Sequence, residues 1–257
     1  MKNALKALYL QCFADTEAFS SAVFEHIYRP EEAFVINEGE GPVSMLLCPR
    51  FSIGKLTGGY VYAACTAEAY RGRGYMARLL AAAGEAMKAR GDSFSFLIPG
   101  EKGLFDYYAR FGYNPAFYCE NKPYEPCGPP VSGLRRAEKS DFEQIGALYR
   151  QKYAAWNYLD RDAEFYHKLN ALYGPAGGGV FVGENGYVMA DAGKDHVLIK
   201  EYAGDGMPDR AAGHFGLPVK LSVPAASGAP KGCVKPFTDE ARKILAEKPL
   251  CFNLLFD

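Results

Sequence analysis

One stretch of this sequence constrains the fold more than any other. Over residues 60–80 an apolar run passes through the loop Arg71-Gly72-Arg73-Gly74 directly into a helical pattern. Glycines allow a backbone to approach a ligand closely, while the start of a helix leaves N–H groups unpaired and favours anions. The stretch therefore predicts a strand, a loop and a helix that bind a phosphate or pyrophosphate, with the two arginines adding charged hydrogen bonds.

This loop differs from the two best-known phosphate loops. The pattern G-x-G-x-x-G is incomplete because only Gly72 and Gly74 are present, and no Gly-Lys-Ser/Thr follows for a Walker loop. The alternative interpretation is an ordinary glycine-rich turn between a strand and a helix.

Composition excludes several classes of protein. The 257 residues carry 29 Lys and Arg against 30 Asp and Glu, and the net charge of −1 disfavours a nucleic-acid partner. No apolar run approaches the ~20 residues of a membrane helix, and the first residues lack a signal core, so we expect a soluble chain without a membrane partner. The seven cysteines form no C-x-x-C pair and the four histidines no ligand pair. This pattern favours reduced thiols, a cytoplasmic location and no metal site.

Hydrophobic periodicity divides the chain into two halves of similar order. The first half predicts helices at 2–12, 16–28, 75–90 and 104–110, and strands at 33–37, 43–48, 60–66, 94–98 and 113–118. The second half predicts a strand at 134–137, a helix capped by Ser140 or Asp141, a helix at 162–172, strands at 180–183, 187–191, 197–202 and 219–223, a helix at 238–247 and a strand at 251–256.

The order of elements predicts the fold class and the domains. A Pro/Gly-rich segment at 123–133 is the predicted linker between a domain at 1–122 and a domain at 134–257. Because strand, helix, helix and three strands recur after the linker, the pattern indicates an internal duplication. We expect an α/β (α+β) protein with two tandem units, each a mixed, mostly antiparallel sheet flanked by helices.

The loop resembles the acyl-CoA loop of the GNAT superfamily (GCN5-related N-acetyltransferases), whose pattern is R/Q-x-x-G-x-G/A. Arg71, Gly74 and Met76 fall on its positions, although Met76 replaces the usual small residue. The resemblance implies acetyl-CoA as co-substrate, with the pyrophosphate held by backbone N–H groups from Arg71 through Ala77 and the pantetheine arm paired with the preceding strand. The implied cofactor-binding residues are Ala64, Cys65, Thr66, Arg71, Gly72, Arg73, Gly74, Tyr75 and Met76.

A second match lies in the segment that ends at Gly112. Tyr108 precedes this glycine by four residues, the spacing at which many GNAT enzymes carry the tyrosine that protonates the leaving CoA thiolate. The resemblance therefore implies Tyr108 as the catalytic acid. The alternatives are a core aromatic, since Phe105, Tyr107 and Phe111 crowd the same segment, or a catalytic role for Tyr107.

No motif in the sequence identifies the general base. Many relatives carry a glutamate on the strand before the loop, but this strand offers Tyr60 and Tyr62, and Glu68 lies beyond its end. The tandem order is similar to the Eis-like (enhanced intracellular survival) branch without its third domain, where the terminal carboxylate is the base. Water, Glu68 and the terminal carboxylate of Asp257 are thus the candidates.

The sequence as a whole predicts an acetyl-CoA-dependent N-acetyltransferase. The acetyl group would pass to a primary amine of a small molecule or peptide by direct attack on the thioester, with 1–122 as the catalytic domain and the second unit degenerate, because no similar loop follows residue 197. The alternative is a catalytically inactive CoA-binding or ligand-sensing protein. The acceptor and the oligomeric state are not specified by any motif.

Overall fold

The computed structural model describes residues 1–39, 41–128, 131, 133–252 and 256. Up to the middle of the chain the elements are α1 (Lys2–Cys12), α2 (Glu17–Ala22), β1 (Ala33–Glu38), β2 (Gly41–Leu47), β3 (Arg50–Ile53), β4 (Leu56–Thr66), α3 (Tyr75–Ala89), β5 (Phe94–Leu97), α4 (Gly103–Ala109) and β6 (Asn114–Tyr124). The later elements are β7 (Arg135–Arg136), α5 (Phe142–Lys152), β8 (Asn157–Tyr158), α6 (Ala163–Tyr173), β9 (Gly179–Gly183), β10 (Gly186–Ala192), β11 (Val197–Ala203), α7 (Met207–Phe215), β12 (Val219–Ala225), β13 (Pro230–Pro236), α8 (Asp239–Glu247) and β14 (Leu250–Cys251).

These elements form two compact units. Unit 1 consists of residues 1–116 and 230–247, and unit 2 consists of residues 117–229 and the chain from 248 onward. The predicted division was simpler, with domains at 1–122 and 134–257 around a linker at 123–133. The structure differs from it because β13 and α8 return to unit 1, and because β6 continues to Tyr124 inside the predicted linker.

In unit 1 the sheet is organised around β4. This strand pairs antiparallel with β2 and β3 and parallel with β5, β1 pairs antiparallel with β2, and β13 pairs antiparallel with β5. The parallel pair needs a crossover, and α3 provides it. A Cβ on Gly59 would lie 2.1 Å from the Met87 sulfur, so only glycine lets α3 pack this closely on β4.

The position of α3 is fixed by its apolar face. Leu79, Leu80, Ala83 and Met87 are buried on one side of the helix, as the 3.6-residue period requires. They pack in one core with residues of β2, β4 and β5, namely Leu46, Val61 and Leu97. Because each buried leucine contributes roughly 1.5–3 kcal/mol, this core holds the start of α3 firmly beside the end of β4.

The other end of α3 is held by a buried carboxylate. The Asp92 side chain is fully buried and accepts hydrogen bonds from Arg50 Nε at 2.8 Å and Arg90 Nε at 2.6 Å. These two charge-assisted bonds tie β3 and the end of α3 together.

Unit 2 is also a mixed sheet. β7, β9, β10 and β11 pair antiparallel in that order, β12 pairs parallel with β11 and antiparallel with β6, and β14 runs parallel to β6 and β8. A fully buried ion pair joins Arg161 and Glu201 at 2.6 Å, and the Tyr187 hydroxyl donates to the same carboxylate at 2.6 Å.

The predicted fold class is confirmed, since most strand pairs in the described chain are antiparallel and helices accompany both sheets. Four of the strands and α-helices escaped prediction: β3, β8, α7 and β13. The sequences of β3, α7 and β13 contain glycine or proline within or beside them, which hid the periodicity, and β8 is only two residues long. Of the predicted strand at 251–256, β14 covers Leu250–Cys251, and 253–255 lie outside the described residues.

Candidate active site

The candidate site begins where β4 separates from β5. Their parallel pairing ends at Val61 and Leu97, whereas β4 continues to Thr66, and no described strand pairs with this last stretch on the β5 side. The register with β2 shifts here, and Ala63 has φ 51°, the only positive φ of a non-glycine residue in the described chain. A bulge of this kind bends a strand and opens a gap beside it.

The loop after β4 leaves its helix start uncovered. Gly72 and Gly74 have φ 77° and 75°, left-handed values that favour glycine, and Gly74 is the N-cap residue of α3. No side chain caps the helix, and a Cβ added at either glycine would meet no atom within 4 Å. The first N–H groups of α3 therefore have no capping side chain, and open space lies beside both glycines, which suits an anion-binding helix start.

An open cleft of about 490 Å³ lies at this helix start. Its walls come from the end of β4, the loop, the first turn of α3 and the end of α4. The lining residues are Thr66, Tyr70, Arg71, Gly72, Gly74, Tyr75, Met76, Ala77, Tyr107, Arg110 and Phe111. Of the predicted cofactor-binding residues, six are in this lining and three are not: Ala64, Cys65 and Arg73.

The two loop arginines differ in their contacts. Arg71 lines the cleft, and its Nε donates to the Thr66 carbonyl at 3.2 Å. Arg73 instead turns back on the preceding turn, donating to the Ala69 carbonyl at 3.1 Å and covering the Tyr70 ring at 4.8 Å. The structure thus presents Arg71 to the cleft and uses Arg73 to hold the loop.

The predicted catalytic tyrosine is a core residue and does not belong to the cleft lining. Tyr108 is 7% exposed and belongs to the core between α3, α4 and the sheet. Burial raises its pKa to about 12, with smaller contributions from Tyr107, Cys233 and Cys65. The hydroxyl therefore keeps its proton at neutral pH, near the strand that ends in the gap.

The neighbouring Tyr107 faces the cleft. Its ring lies 4.7 Å from the Arg110 guanidinium carbon, and burial raises the pKa of its hydroxyl, opposed by Arg110. Arg110 and Tyr70 are lining residues that the sequence reasoning did not predict. The spacing of Arg110, two residues before Gly112, was the available signal, but nothing in a single helix shows which face meets the loop.

A pair of thiols lies behind the loop. Cys65 of β4 and Cys12 of α1 share a hydrogen bond that, with burial, raises the pKa of Cys65. The same bond lowers the pKa of Cys12 to about 7, helped by Arg71 and opposed by burial. Cys65 is accordingly a poor nucleophile, and Arg71 connects this pair to the cleft.

The candidate bases have different positions. Glu68 is exposed in the turn between β4 and the loop. Asp257 lies outside the described residues. Tyr60 and Tyr62 of β4 are buried, and their rings stack at 5.4 Å. No side chain in the cleft lining is a carboxylate.

Among the described residues, no helix is both long and apolar enough to span a bilayer. No group of three or more His, Cys, Asp or Glu residues is placed to hold a metal ion among those residues.

Solved structures share this fold at low sequence identity. A probable N-acyltransferase from Enterococcus faecalis V583 has a TM-score of 0.69 at 15% identity, over 91% of this chain and 70% of that one. A GCN5-related N-acetyltransferase from Anabaena variabilis ATCC 29413 has a TM-score of 0.66 at 16% identity, over 90% and 69%. Eis1 from Mycobacterium abscessus has a TM-score of 0.62 at 12% identity, over 93% and 72%.

By sequence, a match is found for only part of the chain. No curated protein matches the chain. Residues 2–116 match the family model described as acetyltransferase (GNAT) domain, which covers α1 through the start of β6 and so contains the whole cleft. The resemblance drawn from the loop is confirmed over the part of the chain that this family model matches, residues 2–116.

Proposed function

We propose that unit 1 transfers the acetyl group of acetyl-CoA to a primary amine of a small molecule or peptide, by direct attack of the amine on the thioester. The observation that carries the proposal is the open cleft at the uncapped start of α3, beside the gap between β4 and β5. A diphosphate fits the loop, because both glycines face open space and a guanidinium lines the wall.

The loop residues would hold the co-substrate. Backbone N–H groups from Arg71 through Ala77 would bind the diphosphate, with the Arg71 side chain adding charge, while Arg73 keeps the loop in shape. The residues at the end of β4, Ala64, Cys65 and Thr66, would align the pantetheine arm along the strand edge that β5 leaves open. Holding both reactants in one gap favours direct transfer without a covalent enzyme intermediate.

Tyr108 would be the acid. A phenol with a pKa of about 12 remains neutral at pH 7 and can donate a proton to a sulfur as the thiolate leaves. Tyr107 forms part of the cleft wall and supplies a comparison, since it has the same chemistry one residue away.

Unit 2 is proposed to be a second GNAT-like unit that does not bind CoA. The parallel pairing of β11 with β12 ends at Ile199, before the end of β11, as the pairing of β4 with β5 ends at Val61, and Gly206 starts α7 with φ 67°, as Gly74 starts α3. However, Asp205 and Asp209 flank this helix start, and their charges oppose a phosphate. Calorimetry should therefore find one acetyl-CoA per chain, and two would contradict this assignment.

The experiment that tests the proposal combines binding and turnover. We expect acetyl-CoA to bind by calorimetry and to release its thiol when amines of several classes are added. Arg71→Ala should weaken binding about 10- to 100-fold, the loss of one charged hydrogen-bond partner, whereas Arg73→Ala should weaken it much less. Tyr108→Phe should lower kcat about 100-fold at unchanged acetyl-CoA affinity, and Tyr107→Phe should not.

Each expected result has an outcome that would contradict the proposal. Absence of acetyl-CoA binding would refute the proposal as a whole. Binding without thiol release from any amine would favour a CoA-binding or ligand-sensing protein. Full activity of Tyr108→Phe would remove this residue from the mechanism and leave Tyr107 as the candidate.

A further inference from the structure

Two arginines line the cleft, and they come from different elements of unit 1. Arg71 belongs to the loop before α3, whereas Arg110 is the C-cap residue of α4. Both residues are exposed, and no Asp or Glu is among the described lining residues. The cleft therefore carries two positive charges that no carboxylate of its wall neutralises, in addition to the partial positive charge of the helix start.

The contacts of Arg71 connect it with the proposed diphosphate site. Its Nε donates to the carbonyl of Thr66, the last residue of β4, at 3.2 Å. This bond ties Arg71 to the strand that is proposed to align the pantetheine arm, beside the loop whose N–H groups are proposed to bind the diphosphate. Arg71 and the start of α3 together supply the positive charge that a diphosphate needs.

Arg110 is held on another wall of the cleft by the aromatic residues of α4. Its guanidinium carbon lies 4.7 Å from the centre of the Tyr107 ring, and its Nε donates to the Tyr107 carbonyl at 3.4 Å. The Tyr107 ring in turn lies 5.1 Å from the Phe111 ring and 5.3 Å from the ring of the core residue Tyr108. Arg110 thus rests on a fixed aromatic surface, which orients its guanidinium plane before a ligand binds.

This arrangement leaves Arg110 most of its hydrogen-bonding capacity. A guanidinium has five N–H groups, and the bond to the Tyr107 carbonyl uses one of them. The remaining four lie on a planar group, which can donate two parallel hydrogen bonds to the oxygens of one phosphate. Arg110 therefore has the chemistry of a second anion site in the same cleft.

The proposed co-substrate carries a phosphate for such a site. Besides its diphosphate, CoA has a phosphate monoester on the 3′ carbon of its ribose, with a charge of about −1.5 to −2 at pH 7. Only this one sugar separates the monoester from the diphosphate, so a diphosphate at the start of α3 brings the monoester into the same open cleft. Arg71 and the helix start are assigned to the diphosphate, and Arg110 is the other cation of the lining.

We propose that Arg110 binds the 3′-phosphate of CoA, and that Arg110 is the residue by which this protein selects acetyl-CoA over acyl carriers that lack this phosphate. The inference rests on the proposed function, because it needs the diphosphate at the start of α3. Tyr107 is then a positioning residue, since its ring holds the guanidinium in the cleft wall.

The size of the effect follows from the exposure of Arg110. Loss of a hydrogen-bond partner with a charge costs about 10- to 150-fold in Kd. Salt and water screen an exposed charge, so we expect a value near the lower end, about 10-fold. The same screening predicts that the effect decreases as the ionic strength rises.

The test compares two ligands that differ only in the 3′-phosphate, namely CoA and 3′-dephospho-CoA. Calorimetry with the full chain at low ionic strength should give a Kd for CoA about 10-fold lower than that for 3′-dephospho-CoA. Arg110→Ala should raise the Kd for CoA by this factor and change the Kd for 3′-dephospho-CoA by less than about 2-fold. Added KCl should reduce the preference of the wild type for CoA.

Two other arginine variants serve as controls. Arg78 of α3 also lies over the ring of a lining tyrosine, 5.9 Å from the centre of Tyr75, but Arg78 itself does not line the cleft. Arg78→Ala should therefore keep the wild-type preference for CoA. Arg71→Ala should weaken both ligands by the same factor, because both contain the diphosphate to which Arg71 is assigned.

Three outcomes would overturn the inference. The wild type would bind both ligands equally, Arg110→Ala would weaken both by the same factor, or Arg110→Ala would keep the wild-type preference. The second outcome would place Arg110 on a part that both ligands share, and the third would assign the phosphate to another residue.

Failure of the proposed function gives different results. A wild-type protein that binds neither ligand has no CoA site, and the proposed function then fails together with this inference. A protein that shows the preference for CoA and loses it in Arg110→Ala, yet releases no thiol from acetyl-CoA with any amine, would support the role of Arg110 and contradict acetyl transfer.

Discussion

Substituting Gly74 by alanine separates the shape of the loop from its proposed ligand. Gly74 has φ 75°, and an L-residue in this left-handed region costs roughly 1–2 kcal/mol. An added Cβ meets no atom within 4 Å, so no clash adds to this cost. We expect Gly74→Ala to lower the free energy of unfolding by about 1 kcal/mol, which leaves the protein folded.

The same substitution should affect acetyl-CoA much more. The space that the methyl group enters lies at the uncapped start of α3, where the diphosphate is proposed to approach the backbone N–H groups. Loss of one hydrogen bond to a charged group costs about 1.5–3 kcal/mol, which corresponds to roughly 10- to 150-fold in Kd. Affinity should thus fall further than stability.

Chemical denaturation and calorimetry measure the two effects, and α3 offers a matched control. Gly84 lies in the middle of the same helix, its φ is not positive, and a Cβ there also meets no atom within 4 Å. Gly84→Ala should stabilise the protein by roughly 0.5–1 kcal/mol, because glycine is unfavourable inside a helix. Its acetyl-CoA affinity should equal that of the wild type.

Two results would refute this reasoning. Wild-type acetyl-CoA affinity in Gly74→Ala would mean that the diphosphate does not approach this helix start. An equal loss of affinity in Gly84→Ala would mean that any change in α3 disturbs binding, so that the contact assigned to Gly74 has no support.

The remaining predictions concern stability and thiol chemistry. Asp92→Asn should destabilise the protein by about 3 kcal/mol in urea denaturation, since it leaves two arginines without their buried carboxylate, while the fully exposed Asp239→Asn should change stability by less than about 0.5 kcal/mol. Iodoacetamide should alkylate Cys12 with a midpoint near pH 7, because the hydrogen bond from its neighbouring thiol and the charge of Arg71 lower its pKa to about 7 and the thiolate fraction rises as pH rises through that value. Arg71→Ala should move the midpoint of Cys12 to higher pH.

The loop could be predicted because the residues that form it are neighbours in the sequence. Gly72 and Gly74 adopt the positive φ values that glycine allows, and the residues between Thr66 and Ala77 are contiguous in sequence and in the cleft. The apolar face of α3 likewise follows from its spacing alone. Patterns within one short segment were therefore sufficient to predict α3, the loop and most of the cleft wall that they form.

The wall of the cleft that α4 forms could not be predicted from residues that are close in sequence. Tyr108 has the spacing of a catalytic tyrosine, yet the structure buries it in the core and turns Tyr107 and Arg110 toward the loop. Periodicity gives the faces of α4, but which face meets the loop depends on packing against another part of the chain. The pairing of β13 with β5 is also a contact between segments that are far apart in sequence, and no pattern at residues 230–236 predicts it.

Contacts of this kind also matter for the choice of a general base. A carboxylate on the strand before the loop would be visible as a motif, and its absence from β4 left only water, Glu68 and the chain terminus as candidates. The structure places Glu68 in an exposed turn before the loop, and no side chain in the cleft lining is a carboxylate. A group that takes the amine proton would therefore have to be brought to the cleft by contacts between distant segments, and a motif beside the loop does not show such contacts.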